Sequence, residues 1–427
     1  PTRRAKPCML EGGEGPHDPY EALREPDYRR FIQSLGLVTL GLQMQGVVVG
    51  WQVYARTGDA LSLGLVGLSE ALPFLALALF GGHVADRFSR LRISLATVSS
   101  LAVCSGLLWG FSWHSRTGPL ATAVGPIYGI IFLTGIVRAF HRPASTALGA
   151  ELLPKRLYAN GASWRSSEFH TGMVVGPAVG GLLYAWKGPV VAHGTVMVLI
   201  AAGFLALLPI RRRPRPRAVD GASMRDSLAE GLRFVLAQRL LLGAISLDLF
   251  AVLFGGAVAV LPVFARDVLR VGPQGLGLLR AAPAVGSVLM GLVLAHVGTF
   301  RKVGRTLLGC VAGFGVAMVA FALSRHFLLS LGILALAGAL DSVSVVLRAT
   351  LLQTLTPDHM LGRVASVNQI FIGSSNELGA FESGVAARLL GLIPSVVFGG
   401  CMTLAVVAVT TWRVPALRRM DRIRPGA

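Results

Sequence analysis

Long apolar stretches recur along almost the whole chain, and nothing else in the sequence limits its folding as severely. A helix needs roughly 20 mainly apolar residues to cross a hydrocarbon core. Twelve such stretches are present, at about 32–54, 61–85, 92–113, 124–150, 161–185, 189–210, 240–264, 274–297, 304–324, 327–351, 364–387 and 391–412. In lipid a backbone can satisfy its polar groups only within helices or closed barrels, so segments of this length predict an all-α integral membrane protein. Composition agrees: 14% of the residues are charged, against about 25% in soluble domains. The 52 glycines, a burden in soluble helices, allow close helix approach in lipid.

A net charge of +19 raises the question of nucleic acid, and the location of the charge answers it. Arg29, Arg30, Arg87, Arg90, Arg92, Lys155, Arg156, Arg301, Lys302, Arg305, Arg418, Arg419, Arg422 and Arg424 fall in alternate loops and the tail. The opposite loops hold fewer: Arg56, Arg116, Lys187, Arg266, Arg270, Arg325 and Arg388. The positive-inside rule places the richer set, and both termini, in the cytoplasm. The charge therefore reads as topology and contact with anionic membrane lipids, with no nucleic-acid partner. Cys8, Cys104, Cys310 and Cys401 are isolated and indicate neither a disulfide framework nor a metal site. Residues 1–30 contain no apolar core of a cleaved signal peptide.

The longest polar interruption, 211–238, separates six spans from six. The expected organisation is an N-terminal cytoplasmic tail (1–30), a six-helix bundle (31–210), a basic linker (211–238), a second six-helix bundle (239–412) and a basic cytoplasmic tail (413–427). Within the linker, Leu228, Leu232, Phe234, Val235 and Leu236 alternate with Arg225, Asp226, Glu230 and Arg233, as in an amphipathic helix on the inner leaflet; a solvated linker is the alternative. The halves also match each other. Shifting by 210 residues lays Tyr54, Ala55, Arg56 and Pro73 on Phe264, Ala265, Arg266 and Pro283; shifting by 203 lays Ser163, Gly176 and Gly181 on Ser366, Gly379 and Gly384. Two pseudo-symmetric six-helix bundles related by an axis along the membrane normal follow.

Three motifs carry a family resemblance. After the second span, Gly82, Asp86, Arg87 and Arg90 stand in the spacing GxxxDRxxR, which resembles the loop signature of the major facilitator superfamily. That resemblance implies a glycine turn, an acid at the helix end and a gating latch; the second half lacks the acid after its equivalent span. In the fifth span, Gly172, Gly176, Pro177, Gly180 and Gly181 resemble the superfamily's exporter-associated glycine-proline motif, a mark of proton-coupled efflux. Trp51 to Tyr54, Arg138 to Ala144 and Leu351 to Val364 resemble the branch containing enterobactin exporters and macrolide efflux proteins, in order and spacing from Pro26 to Trp412.

Ionised groups within a span cost about 2.5–3.5 kcal/mol and usually face a cavity. Arg138 lies near mid-membrane in the fourth span, and at offset 203 its equivalent is Asp341. Arg138 is expected to anchor an anion or polar oxygen through its fork of donors, with Asp341 as counter-ion or proton carrier; a static ion pair is the alternative. Glu70 and Arg280 are equivalent at offset 210 and are expected near the seam between halves, in a switching or a fixed pairing. Asp248 has no charged equivalent, since Val38 matches it. A carboxylate without a fixed partner suits proton pickup; a hydrogen-bonded structural acid is the alternative. Glu168 and Glu377 are further cavity or proton-path candidates.

No nucleotide-binding loop, metalloprotease helix or nucleophile elbow is present. The expectation is a monomeric, cofactor-free, non-enzymatic secondary exporter in a bacterial inner membrane. It would work by alternating access, exchanging protons for a small molecule, a siderophore or related amphiphile. Multidrug or macrolide efflux is the alternative, and a non-transporting ligand sensor a remote one.

Overall fold

The computed structural model describes residues 18–115, 122–211, 224–296, 302–357 and 360–420, with the side chains of Leu79, Asp86, 224–228 and Glu377 outside the described set. No strand occurs among the described residues. The first half contains α1 (Glu21–Arg24), α2 (Pro26–Thr57), α3 (Ala60–Arg87), α4 (Arg90–His114), α5 (Gly125–Glu151) and α6 (Tyr158–Leu207). After α7 (Met224–Ala237), the second half contains α8 (Arg239–Gly255), α9 (Leu261–Val263), α10 (Gly272–His296), α11 (Val303–Leu323), α12 (Phe327–Leu355), α13 (Leu361–Leu390) and α14 (Leu392–Arg413), followed by α15 (Pro415–Arg418).

Local chemistry explains the breaks. Gly58 ends α2 in the left-handed region at φ 62°, its amide bonded to the Tyr54 carbonyl, and the next residue, Asp59, caps α3 by accepting from the Leu61 amide at 3.2 Å. Helix α6 is two spans: Gly188, at φ 77° and ψ −177°, interrupts it before Pro189. Only glycine adopts that conformation without strain. Gly391, at φ 89°, makes the corresponding break between α13 and α14, and it is Gly188 displaced by 203 residues. Nine helices among the described residues pass on length and apolarity alone, α6 counting once. The other two spans, α5 and α13, carry charged and polar residues, among them Arg138, His141 and Arg142 in α5 and Glu382 and Arg388 in α13. Twelve spans result, as the sequence predicts.

Lipid-facing surface is evident from side chains that water would not tolerate. Leu182, Val198, Leu205, Leu292, Leu323 and Leu328 are all exposed, consistent with hydrocarbon as their solvent. Trp186 and Trp412, each with a neighbouring cation over its ring (Lys187 at 4.8 Å, Arg413 at 5.1 Å), sit where interfacial aromatic anchors belong.

The distribution of apolar cores fixes the state of the molecule. The end carrying α1, α7 and α15 is termed proximal, and the opposite end distal. At the distal end one core runs through both halves, joining Val47, Tyr54, Leu108 and Ile127 to Val260, Phe264, Leu279 and Phe321. Toward the proximal end the cores are separate: Phe31, Val38, Leu101 and Leu148 in the first half, Leu247, Leu307 and Leu347 in the second. The apolar core is thus shared by both halves distally and divided between them proximally.

Each half begins with a short helix gripping the proximal start of its fifth span. Before the first span, the Ala22 amide donates to Asn160 at 3.2 Å, the Trp164 indole donates to the Pro19 carbonyl at 3.0 Å, and Glu21 pairs with Arg156. Before the seventh, Val235 is fully buried in a core with Met360 and Val364, and Glu230 pairs with Arg363. Asn160 and Arg363 are equivalent at offset 203, so the two clamps repeat the internal symmetry.

Candidate functional site: charges at mid-depth and the distal clasp

Among the described residues, two ion pairs lie at mid-depth inside the bundles, and neither is the one inferred from symmetry. Arg138 on α5 pairs with Glu70 on α3, within the first half. Helices α3 and α5 can cross there because Gly135 lies against the Glu70 carbonyl, where a Cβ would collide. Asp248 on α8 pairs with Arg348 on α12. This corrects the expectation that Asp248 lacks a fixed partner. Arg348 is matched at offset 203 by the neutral Ser145, so the internal symmetry does not point to it.

The pairs differ in accessibility. The Arg138 and Glu70 side chains are 29% and 22% exposed, those of Arg348 and Asp248 only 11% and 10%. The first pair therefore borders open space, while the second is a buried tie between two helices.

The remaining candidates take separate places. Arg280 donates from Nη1 to the Gly46 carbonyl at 3.0 Å, reaching from α10 in the second half to α2 in the first. It lies in the seam, but Glu70 is engaged with Arg138 rather than with it. Asp341, half-buried on α12, forms no ion pair among the described residues. Glu168 is half-buried on α6 with its Oε1 lacking a hydrogen-bond partner among the described residues. The side chains of Asp86 and Glu377 lie outside the described residues.

The loop signature is helical further than expected. Helix α3 continues to Arg87, so Gly82 is an interior helical residue and the turn falls at Phe88 and Ser89. Arg87 is exposed; Arg90 bonds to Glu151 at 3.5 Å and to the Ala147 carbonyl at 3.4 Å, tying α4 to α5. The fifth-span glycines are packing positions. Gly172, Gly176 and Gly180 lie against Thr39, Gln43 and Met44 of α2, and Gly181 and Pro177 lie against Gly277 of α10 in the other half.

At the distal end a polar clasp closes the seam. Tyr54 donates to Asp267, Arg266 donates to the Tyr54 carbonyl at 3.3 Å, and Asp59 pairs with Arg388 at 3.0 Å. On either side, glycines let helices cross between halves: Gly181 with Gly277 (α6 on α10) and Gly64 with Gly384 (α3 on α13). These crossings are related by the internal two-fold, since α6 corresponds to α13 and α10 to α3. The first half also contains a buried polar ladder absent from the sequence reading. Ser105 donates to Gln45 at 2.9 Å, Gln52 donates to Ser112 at 3.0 Å, and His193 lies 2.9 Å from Gln52. The signal was available, as Gln45 and Gln52, like Ser105 and Ser112, are seven residues apart.

A family model described as transmembrane secretion effector matches residues 18–425. The chain belongs to this family of the major facilitator superfamily. It is similar to the multidrug efflux pump Tap of Mycolicibacterium fortuitum, at 26% identity over 88% of this chain and 92% of that protein. It is also similar to the enterobactin exporter EntS of Escherichia coli, at 28% identity over 92% and 94%. The fold matches solved transporters. An auto-inhibited peptide transporter of the POT family superposes with a TM-score of 0.72 at 14% identity, over 94% of this chain and 99% of that one. A bacterial homolog of the human lysosomal transporter Spinster, described as inward-facing and unoccupied, gives 0.64 at 17% identity, over 92% and 96%. As a major facilitator protein, the chain is a multi-pass membrane transporter and not an enzyme.

Proposed function

We propose that the chain is a secondary active exporter that moves an amphiphilic small molecule outward in exchange for protons, by alternating access. The observation that carries this reading is the fusion of the two bundles into one distal core while their proximal cores stand apart. A transporter in that state presents its central charges to one side only. The loops of the proximal end are the basic ones, so the positive-inside rule makes that side the cytoplasm, from which an exporter loads. Among the described residues, side-chain packing and a few polar bonds hold the distal end closed, as a reversible gate requires.

The mid-depth charges divide by role. Glu70 and Arg138, partly exposed, border the substrate space. Asp248 and Arg348, buried and tied to each other, are structural. Asp341 is the first proton carrier, because a carboxylate with no ion pair among the described residues can bind and release a proton without first breaking a salt bridge; Glu168, whose Oε1 lacks a hydrogen-bond partner among the described residues but which lies near Arg165, is the second. Relatives that export enterobactin and drugs favour a siderophore or similar amphiphile, with multidrug efflux as the second reading supported by Tap. The chain acts as a monomer, with two bundles enclosing one site, in the bacterial inner membrane.

The test is flux in sealed proteoliposomes. With an imposed pH difference, enterobactin or ethidium should accumulate against its gradient, and collapse of the pH difference should abolish accumulation. Binding without flux would establish a sensor instead.

A further inference from the structure

Arg142 is a charged residue inside the first bundle that the ion pairs described above do not include. It lies on α5, seventeen residues after Gly125 and nine before Glu151, well inside the span, and it is exposed. It forms no ion pair among the described residues; its guanidinium lies 5.7 Å from the centroid of Phe74 on α3. Phe74 is itself at the seam: Gly373 of α13, in the other half, passes so close that a Cβ there would lie 3.3 Å from the Phe74 ring. Arg142 is therefore braced by an aromatic face where the two bundles meet.

An arginine exposed at this depth cannot face hydrocarbon at tolerable cost; it faces the space between the parted bundles. Position on the helix agrees. Arg138, Arg142, Thr146 and Ala150 are spaced by four, which places them on one face, and the last three are all exposed. The same stripe is continued by Arg165 of α6, which donates to Thr146 at 3.3 Å. Of the acids near this stripe, Glu70 is already engaged by Arg138, and Glu168 lies near Arg165. Proceeding inward from the proximal end, a solute meets Arg165, then Arg142 on its aromatic brace, then the Glu70–Arg138 pair.

We propose that Arg142 and Phe74 form the specificity-determining element of the substrate path and select molecules that join an acidic group to an aromatic body. The guanidinium, held over the ring, offers its outer donors to a carboxylate or ionised phenol in two-pronged fashion, and Phe74 offers the ring an apolar face. A cationic drug gains nothing from this element and is repelled by it. The proposal deepens the export reading and rests on the same cavity.

The test separates the two. Purified protein in lipid nanodiscs is titrated against fluorescein, an anionic aromatic probe, and ethidium, a cationic one, by fluorescence anisotropy. Wild type should bind fluorescein; Arg142→Gln should weaken that binding at least tenfold while leaving ethidium binding unchanged or tighter. Arg142→Lys should retain part of the affinity, and Phe74→Leu should lose about threefold. Equal loss of both probes, an unchanged fluorescein affinity, or no fluorescein binding by wild type would overturn the proposal. If Arg142→Gln fails to fold, the Lys and Leu variants decide by the same criterion. Selective binding without pH-driven flux would leave this site standing and refute the export reading.

Discussion

Asp248 depends on a single arginine. Its carboxylate is buried against Arg348, whose Nε also donates to the Ser344 carbonyl at 3.2 Å. Removing one member of a buried pair leaves the other uncompensated, a loss of about 3–5 kcal/mol. Arg348→Ala should therefore lower the melting temperature sharply in detergent, and Asp248→Asn in the same chain should recover part of the loss. If the single variant melts like wild type, the pair is not the tie described. Asp341→Asn should behave in the opposite way, keeping wild-type thermal stability and losing pH-driven accumulation. Wild-type accumulation by that variant and by Glu168→Gln would remove both as proton carriers. How legible these residues were depends on what pattern can show. Charge inside an apolar stretch is conspicuous, so Arg138, Glu70, Asp248, Asp341 and Arg280 were all selected from the sequence. Pairing is decided by which helices cross and at what height, and the offset between halves carries no such information. Arg138 was thus matched to its symmetry equivalent rather than to Glu70, its actual neighbour across the α3–α5 contact.

Among elements, the fifth span and its counterpart matter most. Along α6, glycines spaced by four bring α2 to backbone distance, and Gly181 brings in α10. Replacing Gly176 with Leu would drive a side chain into Gln43 and the Leu40 carbonyl, where only 2.6 and 3.0 Å separate them from a Cβ. Overpacking of this kind costs about 1–3 kcal/mol or more, so Gly176→Leu should express poorly or melt early, and Gly110→Ala, facing open space, should not. Equal stability of the two variants would contradict the packing described. The clamps at the proximal ends make a second element-scale case. Exchanging the charges of Glu230 and Arg363 singly should loosen the linker helix α7, read as faster proteolysis near it, and exchanging both should restore protection. Spans were legible because apolar length is a property of the sequence alone. The break at Gly188 was legible as a boundary too, whereas the helical continuation of α3 through Gly82 was not: a glycine written in a loop signature reads as a turn, and helix packing decides otherwise.

For the whole molecule, the asymmetry between a fused distal end and parted proximal cores is the fact from which transport follows. Under the proposed alternating access, the clasp of Tyr54, Asp267 and Arg266, with Asp59 and Arg388, must break and the glycine crossings must separate. Gly384→Val, which would push against Gly64 and the Ala60 carbonyl, should bias the protein toward distal opening. It should do so by raising the labelling rate of a cysteine placed at Leu63, buried in the shared core, by about tenfold, as a shift of roughly 1.4 kcal/mol gives; an unchanged rate would argue that the crossing is not part of the gate. The most direct test of alternating access is a pair of distances measured by pulsed electron resonance on the reconstituted protein. Spin labels would sit at Thr57 and Leu389 for the distal end and at Lys155 and Gly362 for the proximal end, in a chain free of its native cysteines. At equal neutral pH the distal distance should be short and the proximal one long. Under an imposed pH difference a second population should appear in which the distal distance lengthens and the proximal one shortens together. A single unchanged population at both ends, or two distances that lengthen in step, would contradict it.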